Sequence, residues 1–226
     1  MLNLKVGVMV EYAVSDLVKE VKVLLDRNQE SAGLLTPDDT DTLSQAKLIE
    51  SKIVDAARII LSDAPEDMVE GTSCANAVTW TDCNGYFVGK MVLPTDMLRI
   101  LSVKAEDWNR PATIISESDD AYKYQNCKYG VRGNPERPIA AIVHTANGKC
   151  IELYTSKKQN VTLAFIYVQV PSITTEQKIS LPSVLKDSIL YMAGYLTCIS
   201  LGDTDTASKF IEVARKLAHI VEPTTS

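Results

Sequence analysis

The sequence has few of the residues on which enzyme chemistry depends. It contains 2 histidines and 5 cysteines without CxxC spacing, which indicates neither a zinc site nor a disulfide framework. It has no phosphate-binding glycine loop and no HExxH or GxSxG pattern. Neither His144 nor His219 has a Cys, Ser or acid nearby in a recognisable nucleophile arrangement. We therefore predict a protein that is not an enzyme and that has no catalytic residues, cofactor or metal centre.

Long hydrophobic runs are lacking as well. The apolar residues 1–10 are too few to span a bilayer and carry no basic leader. We expect neither a secretion signal nor a transmembrane helix. The odd number of cysteines fits a reduced, cytosolic compartment.

Charge is present but unevenly distributed, and the net charge is −6. Residues 1–70 carry 7 Lys/Arg against 14 Asp/Glu (−7), residues 71–180 carry 12 against 10 (+2), and residues 181–226 carry 4 against 5 (−1). A protein that coats nucleic acid needs a concentrated basic face, which this distribution does not provide. Segments of opposite sign favour contact between unlike surfaces.

Helical periodicity marks both ends of the chain. Apolar residues recur at three- and four-residue spacing over residues 16–30, 42–61 and 183–200, and again after Asp203. Asp203 is a helix-capping residue type. The spacing therefore predicts four helices, two before and two after the middle of the chain.

The middle of the chain has the residue types of strands. Candidate strands cover residues 86–93, 97–104, 111–116, 138–145, 149–155 and 161–169. Asn84-Gly85 and Asn147-Gly148 are typical of two-residue hairpin turns, which require positive φ angles. The predicted fold class is α+β: a four-helix frame drawn from both chain ends, with a large antiparallel β insertion in the middle. The predicted domains are a helical bundle of residues 1–70 and 181–226 and a β-rich insertion of residues 71–180.

One long loop, residues 117–137, interleaves aromatic and basic residues. Its tyrosines are Tyr122, Tyr124 and Tyr129, and its basic residues are Lys123, Lys128, Arg132 and Arg137. This composition occurs on surfaces that bind single-stranded nucleic acid. Tyr and Arg are also enriched at protein–protein contacts, and we favour that interpretation. A DNA-binding module that uses the loop is the alternative.

Asp38, Asp39 and Asp41 form the densest acidic cluster. A calcium loop would also need a glycine at its sharp turn and a distal glutamate, and both are missing at the required spacing. The cluster is more typical of acids at the start of a helix.

The order of these parts resembles the head-to-tail connector proteins of tailed bacteriophages, the adaptor or ring family. The resemblance rests on the Leu93-Pro94-x-Asp96-x-Leu98-Arg99 core of the β insertion and on Gly202-Asp203-Thr204-Asp205 between the two closing helices. The segments Arg27-Asn28-Gln29-Glu30-Ser31 and Tyr129-Gly130-Val131-Arg132-Gly133-Asn134-Pro135 are most similar to ring proteins of crAss-like phages.

The resemblance implies a structural protein of the virion neck, made in the cytoplasm of the bacterial host. Its partners would be further copies of itself in a twelve-fold ring, the portal protein, and other neck or tail ring proteins. Double-stranded DNA would pass through the ring, and no membrane is involved. In similar adaptors the C-terminal segment reaches toward the portal, which would place Val221, Glu222, Pro223, Thr224, Thr225 and Ser226 at that contact.

A closed ring requires two different, complementary faces on every subunit. The charge distribution suggests an acidic helical face that meets the basic β face of a neighbour. The candidate interface residues are Glu20, Asp26, Glu30, Glu50 and Asp55 on the acidic side and Lys104, Lys123, Arg132 and Arg137 on the basic side. For any single residue among them, solvated surface charge is the competing interpretation.

Overall fold

The computed structural model describes residues 8–28, 45–74, 77–126, 132–146 and 148–221. Over these residues the chain is α+β. Its helices are α1 (Val14–Asn28), α2 (Gln45–Asp63), α3 (Asp120–Lys123), α4 (Lys186–Leu201) and α5 (Thr204–Leu217). Its strands are β1 (Met9–Ala13), β2 (Thr72–Ser73), β3 (Thr79–Asp82), β4 (Phe87–Val92), β5 (Met97–Ala105), β6 (Thr113–Ser116), β7 (Ile139–Thr145), β8 (Gly148–Ser156), β9 (Leu163–Gln169) and β10 (Lys178–Pro182).

The chain divides into two compact units. The helical unit comprises Met1–Glu70 and Val170–Ser226, and the β unit comprises Gly71–Gln169. The helical unit carries 12 Lys/Arg against 20 Asp/Glu, a net charge of −8, and the β unit carries 11 against 9, a net charge of +2. Residues 170–180, which the sequence-based division placed with the β-rich insertion, belong to the helical unit.

Helix α4 is the centre of the helical unit. It packs against α1, α2 and α5, and its buried residues lie on several sides of the helix, including Ile189, Met192, Ala193 and Cys198. A helix that is apolar all round is suited to burial among other elements. The helices around it have one apolar stripe each, such as the Ile49, Ile53, Ala56 and Ile60 stripe of α2.

Two strands from distant parts of the chain complete the helical unit. β1 pairs with β10 in an antiparallel two-stranded sheet, with Met9 opposite Pro182 and Ala13 opposite Lys178. β10 is largely buried, and Ile179 and Leu181 are fully enclosed. β1 is largely exposed.

The predicted four-helix frame is wrong. The structure has five helices and ten strands in three sheets over the described residues, so strands dominate. The sequence interpretation gave the four long helices equal roles, because each shows apolar periodicity. Instead α4 is enclosed by the other three, and the sheet of β1 and β10 closes the unit alongside them.

The β unit contains two sheets with a shared core. The first has the strand order β2-β9-β5 and the second has the order β3-β4-β8-β7-β6. Met91, Ile151 and Leu153 of the five-stranded sheet cluster with Val103 and Phe165 of the three-stranded sheet. The prediction of a wholly antiparallel insertion is also wrong, because β6 runs parallel to β7. The long connection through α3 returns the chain to the end of the sheet at which β6 began, as a parallel pair requires.

Strand pairing shows both predicted hairpins, and the first has its Asn-Gly pair at the turn. β3 pairs with β4, and Asn84 and Gly85 have positive φ angles of 64° and 92°. β7 pairs with β8, with Thr145 opposite Gly148. Asn and Gly tolerate the left-handed conformation that the first turn needs. In the second hairpin Gly148 already belongs to β8, and Asn147 lies outside the described residues.

The stretch Ser183–Leu201, which includes α4, is long and apolar enough to cross a bilayer by length and composition. The sequence analysis predicted no transmembrane helix. Half of the stretch is buried inside the unit, and its contacts are those of a core helix.

Substitution at Gly194 tests the packing of α4 on α5. A Cβ atom at Gly194 would lie 2.5 Å from two ring atoms of Phe210. Overpacking of this kind costs about 1–3 kcal/mol, while alanine gains about 1 kcal/mol in helix propensity over glycine. We expect Gly194→Ala to lower the free energy of unfolding by up to about 2 kcal/mol in urea denaturation. In a Phe210→Leu background the same substitution should be nearly neutral, with a coupling of about 1 kcal/mol. Equal losses in both backgrounds would contradict this packing.

The cysteines provide a second test of the helical core. Burial, together with Asp203, raises the pKa of the Cys198 thiol to about 11, and the thiolate is the reactive form. We expect Cys198→Ser to leave the number of thiols labelled by Ellman's reagent at pH 8 unchanged in the folded protein. Cys83, which is partly exposed, is the matched comparison, and Cys83→Ser should lower the count by one. A lower count for Cys198→Ser would show that α4 opens readily.

Candidate functional site

The most polar cluster of the β unit is built around Glu152 on β8. Side chains alternate along this strand, so Ile151 and Leu153 enter the core between the sheets, while Cys150, Glu152 and Tyr154 lie on the opposite face. That second face is covered by Tyr122 from α3, which packs on a smaller apolar cluster. A carboxylate is thereby placed in a largely covered position.

Three donors surround the Glu152 carboxylate. The Tyr154 hydroxyl donates to Oε2 at 2.7 Å, and the Tyr122 hydroxyl donates to the same oxygen at 3.0 Å. The Lys90 ammonium lies 3.5 Å from Oε1, because Lys90 stands directly opposite Glu152 in the pairing of β4 with β8. Burial, and then the bond to Glu152, raises the pKa of Tyr154 and of Tyr122.

A second set of contacts holds the neighbouring loop. Gln125 is buried; its amide nitrogen donates to the Ala121 carbonyl at 2.8 Å, and its amide oxygen accepts from the Gly133 backbone N–H at 2.9 Å. The Arg132 Nε donates to the Gln125 carbonyl at 2.8 Å. The Arg132 guanidinium carbon lies 3.9 Å from the centroid of the Tyr86 ring, within cation–π distance.

These contacts border a cleft of about 340 Å³. Thr81, Cys83, Tyr86, Lys90, Arg132 and Glu152 are among its lining residues. It combines one carboxylate, two cations and the rings of Tyr86 and Tyr154, a set suited to holding polar groups. The carboxylate already has three donors, so the cluster clamps α3 and its loop onto the sheet. Among the described residues no group of three His, Cys, Asp or Glu side chains is arranged to hold a metal ion.

The loop tyrosines are only partly where sequence reasoning placed them. Tyr122 turns inward to Glu152, whereas Tyr124 is exposed. Lys123 pairs with Asp120 at 2.7 Å, and Arg137 is exposed. Tyr129 and Lys128 lie outside the described residues. In the described part of the loop, Tyr124 is therefore free to stack on a base, whereas Tyr122 is not.

The predicted acidic interface residues lie on different helices. Glu20 on α1 pairs with Lys186 at 2.7 Å, Asp55 on α2 lies 3.8 Å from Arg58, and Glu50 is partly buried on α2. Lys104, on the predicted basic side, is exposed on β5. The structure does not describe the side chain of Asp26 or any part of Glu30. The role of all these residues in a subunit interface stays a prediction.

Two further sets of predicted residues lie partly or wholly outside the described residues. Val221 is exposed, and residues 222–226, predicted to meet the portal, lie outside the described residues. Asp38, Asp39 and Asp41 do so as well.

The sequence analysis did not predict a groove on the helical unit. It lies between α1 and α4, has a volume of about 410 Å³, and is lined by Lys19, Glu20, Val23, Leu24, Leu190 and Tyr191, with Asp187 at its margin. Val23 on α1 is 49 % exposed although its side chain is apolar. The apolar spacing of residues 16–30 predicts one buried side of α1 but does not show that Val23 stays uncovered.

Sequence reasoning also missed a partner of His144. The Glu117 carboxylate lies 2.9 Å from His144 Nδ1 and also accepts from the His144 backbone N–H at 2.9 Å. These hydrogen bonds lower the pKa of Glu117. The two residues are 27 positions apart and meet because β6 and β7 are neighbours. Both side chains are largely exposed, and no nucleophile stands beside them among the described residues.

No protein-family model matches the chain, and no curated protein matches its sequence.

The Glu152 cluster predicts how stability changes at alkaline pH. Tyrosine in an unfolded chain ionises near pH 10, and the raised pKa of Tyr154 keeps it protonated above that pH in the folded protein. The stabilisation is complete below about pH 10 and is lost as the pH rises further. We expect Tyr154→Phe to reduce the slope of unfolding free energy against pH, above pH 10, by up to about 1.4 kcal/mol per unit.

Urea denaturation between about pH 9.5 and 11 measures that slope. Tyr124→Phe removes an exposed tyrosine and serves as the control, which should keep the slope of the unsubstituted protein. Identical slopes for the two variants would contradict the burial of the Tyr154 hydroxyl beside Glu152.

Proposed function

We propose that this chain is a ring-forming structural protein, a head-to-tail adaptor that joins the portal and tail of a tailed phage and leaves a channel for DNA. The observation that carries the proposal is the difference in charge between the two compact units, −8 for the helical unit and +2 for the β unit. Copies that associate head to tail need two unlike faces. Units of opposite charge supply them, and the resemblance of the sequence to the ring family supports the same function.

The groove between α1 and α4 is our proposed contact surface on the acidic unit, and a second copy of the chain is its occupant. Glu20, one of the predicted interface residues, lines it. Exposed apolar surface rimmed by charged residues is typical of sites that another protein covers. The acidic helical unit that carries the groove and the basic β unit of the neighbouring copy are complementary in charge, and such complementarity favours one orientation of docking.

Nucleic-acid binding by loop 117–137 has less support. Of its described groups, Tyr122 is bound to Glu152 and Lys123 to Asp120. An acidic lining would in fact help DNA to pass, because like charge repels the phosphate backbone.

A charge placed in the groove tests the proposed interface. We expect Val23→Arg to weaken self-association in the presence of the portal protein at least about tenfold, since docking would bury an unpaired cation. Val213→Arg is the matched control, because Val213 is an exposed valine of α5 with 36 % exposure outside the groove. Native mass spectrometry of the chain mixed with portal protein gives the masses of the complexes.

The same measurement decides the broader proposal. Rings of many copies bound to the portal would support it, and rising salt should weaken them because the pairing is between surface charges. A chain that stays monomeric beside the portal protein would overturn the adaptor function. Tight DNA binding that is steeply salt-dependent and is lost with Lys123, Lys128, Arg132 and Arg137 all changed to Ala would establish the alternative.

A further inference from the structure

The cleft of about 340 Å³ on the β unit has an excess of positive charge. Its charged lining residues among those described are Lys90, Arg132 and Glu152, two cations against one carboxylate. The Glu152 carboxylate already accepts from the hydroxyls of Tyr122 and Tyr154. The lining therefore has a surplus of positive charge, which favours an anionic ligand.

Lys90 has donors to spare in this cleft. Its ammonium lies 3.5 Å from Glu152 Oε1, which is longer than the roughly 2.7–2.9 Å of a charge-assisted hydrogen bond. An ammonium carries three N–H donors, and the Lys90 side chain is 48 % exposed. Lys90 can therefore bind a second carboxylate while it stays beside Glu152.

Arg132 is the second cation, and its orientation is fixed. Its Nε donates to the Gln125 carbonyl, and its guanidinium lies over the Tyr86 ring. A side chain that is already held in place loses little further freedom when it binds a ligand. The planar guanidinium also matches the shape of a carboxylate. The cleft is thus suited to the side chain of an aspartate or glutamate.

The proposed contact surface of the helical unit exposes such a side chain. Two acids line the groove between α1 and α4, Glu20 and Asp187. Glu20 is paired with Lys186 at 2.7 Å. Asp187 is exposed, and no ion pair or hydrogen bond from the described part of the chain reaches its carboxylate. Asp187 is therefore the acid of this groove that can bind to another molecule.

We propose that the cleft on the β unit receives the Asp187 carboxylate of a neighbouring copy, where Lys90 and Arg132 bind it. The presence of a neighbouring copy rests on the proposed function. The contact joins the acidic helical unit of one copy to the basic β unit of the next. Because the two faces differ, each copy uses both at once, and the contact repeats from copy to copy as a closed ring requires.

Chemical cross-linking through the native Cys83 tests this contact. Cys83 lines the cleft and is partly exposed. Val184 is 46 % exposed and precedes Asp187 by three residues, so it lies on the same side of the helix start. We expect Val184→Cys, treated with a short bismaleimide while portal protein is present, to give multimers well beyond the dimer on denaturing gels. Two-fold pairing would stop at the dimer.

Two variants control for the positions of the thiols. Val213→Cys places a thiol on an exposed valine of α5 outside the groove, and we expect at least about tenfold less multimer from it. Val184→Cys/Cys83→Ser should fall to the same level. Multimers that form equally well without Cys83, or that stop at the dimer, would overturn the proposed contact.

Removal of single charges tests the ion pair separately. In the Val184→Cys background, Asp187→Asn and Lys90→Gln should each lower the multimer yield about fivefold, because each removes one side of the charge pair. Lys90→Gln keeps an N–H donor beside Glu152, and urea denaturation checks that both variants are folded.

Two matched variants should leave the multimer yield within about twofold of its original value. Asp205 is an acid in the first turn of α5, as Asp187 is in the first turn of α4, and Asp205→Asn is its control. Lys149 is an exposed lysine of β8 outside the cleft, and Lys149→Gln is the control for Lys90→Gln. Equal losses in all four variants would overturn the ion pair.

The contact and the adaptor function can fail separately. Native mass spectrometry shows whether rings form on the portal protein. Rings that neither cross-link through Cys83 nor weaken with Asp187→Asn would refute the contact and leave the adaptor function standing. A Cys83-dependent ladder from copies that do not bind the portal would support the contact and overturn the adaptor function.

Discussion

The burial of α4 is the interaction on which the helical unit depends. α4 is apolar on nearly all sides, and it becomes a core helix only when elements from both parts of the chain surround it. α1 and α2 come from the first part, and α5 comes from the last. The pairing of β1 with β10 joins the same two parts through the backbone. Burying side chains such as Ile189 and Met192 stabilises the unit by about 1.5–3 kcal/mol each, which offsets the entropy of bringing distant segments together.

Local patterns predicted the elements better than their arrangement. The apolar periodicity of residues 183–200 identifies α4, and Asn84-Gly85 identifies the hairpin of β3 and β4, because both signals act over a few residues. The parallel pairing of β6 with β7 depends on where a loop of more than twenty residues ends, which no local pattern states. The mistaken four-helix frame has a similar origin: periodicity shows that a helix has an apolar side but not how many neighbours enclose it.

The candidate site illustrates the same limit. The interleaved tyrosines and basic residues of loop 117–137 were visible in the sequence, but the direction of Tyr122 is set by Glu152, thirty positions later. A signal for that contact does exist: Glu152 is the lone acid of β8 and stands between Ile151 and Leu153, and a carboxylate covered in such a place needs donors. The pair of Glu117 and His144 gave no comparable signal, since both side chains are largely exposed and ordinary in composition.

The split of the helical unit between Met1–Glu70 and Val170–Ser226 has a consequence for synthesis on the ribosome. The strands of the β unit leave the ribosome as one continuous stretch, whereas α1 and α2 emerge long before the helix that covers them. About 120 residues separate α2 from α4, so at about 5–20 residues per second the wait lasts about 6–24 s. During that interval Ile49, Ile53 and Ile60 of α2 lack the helix that covers them in the folded unit.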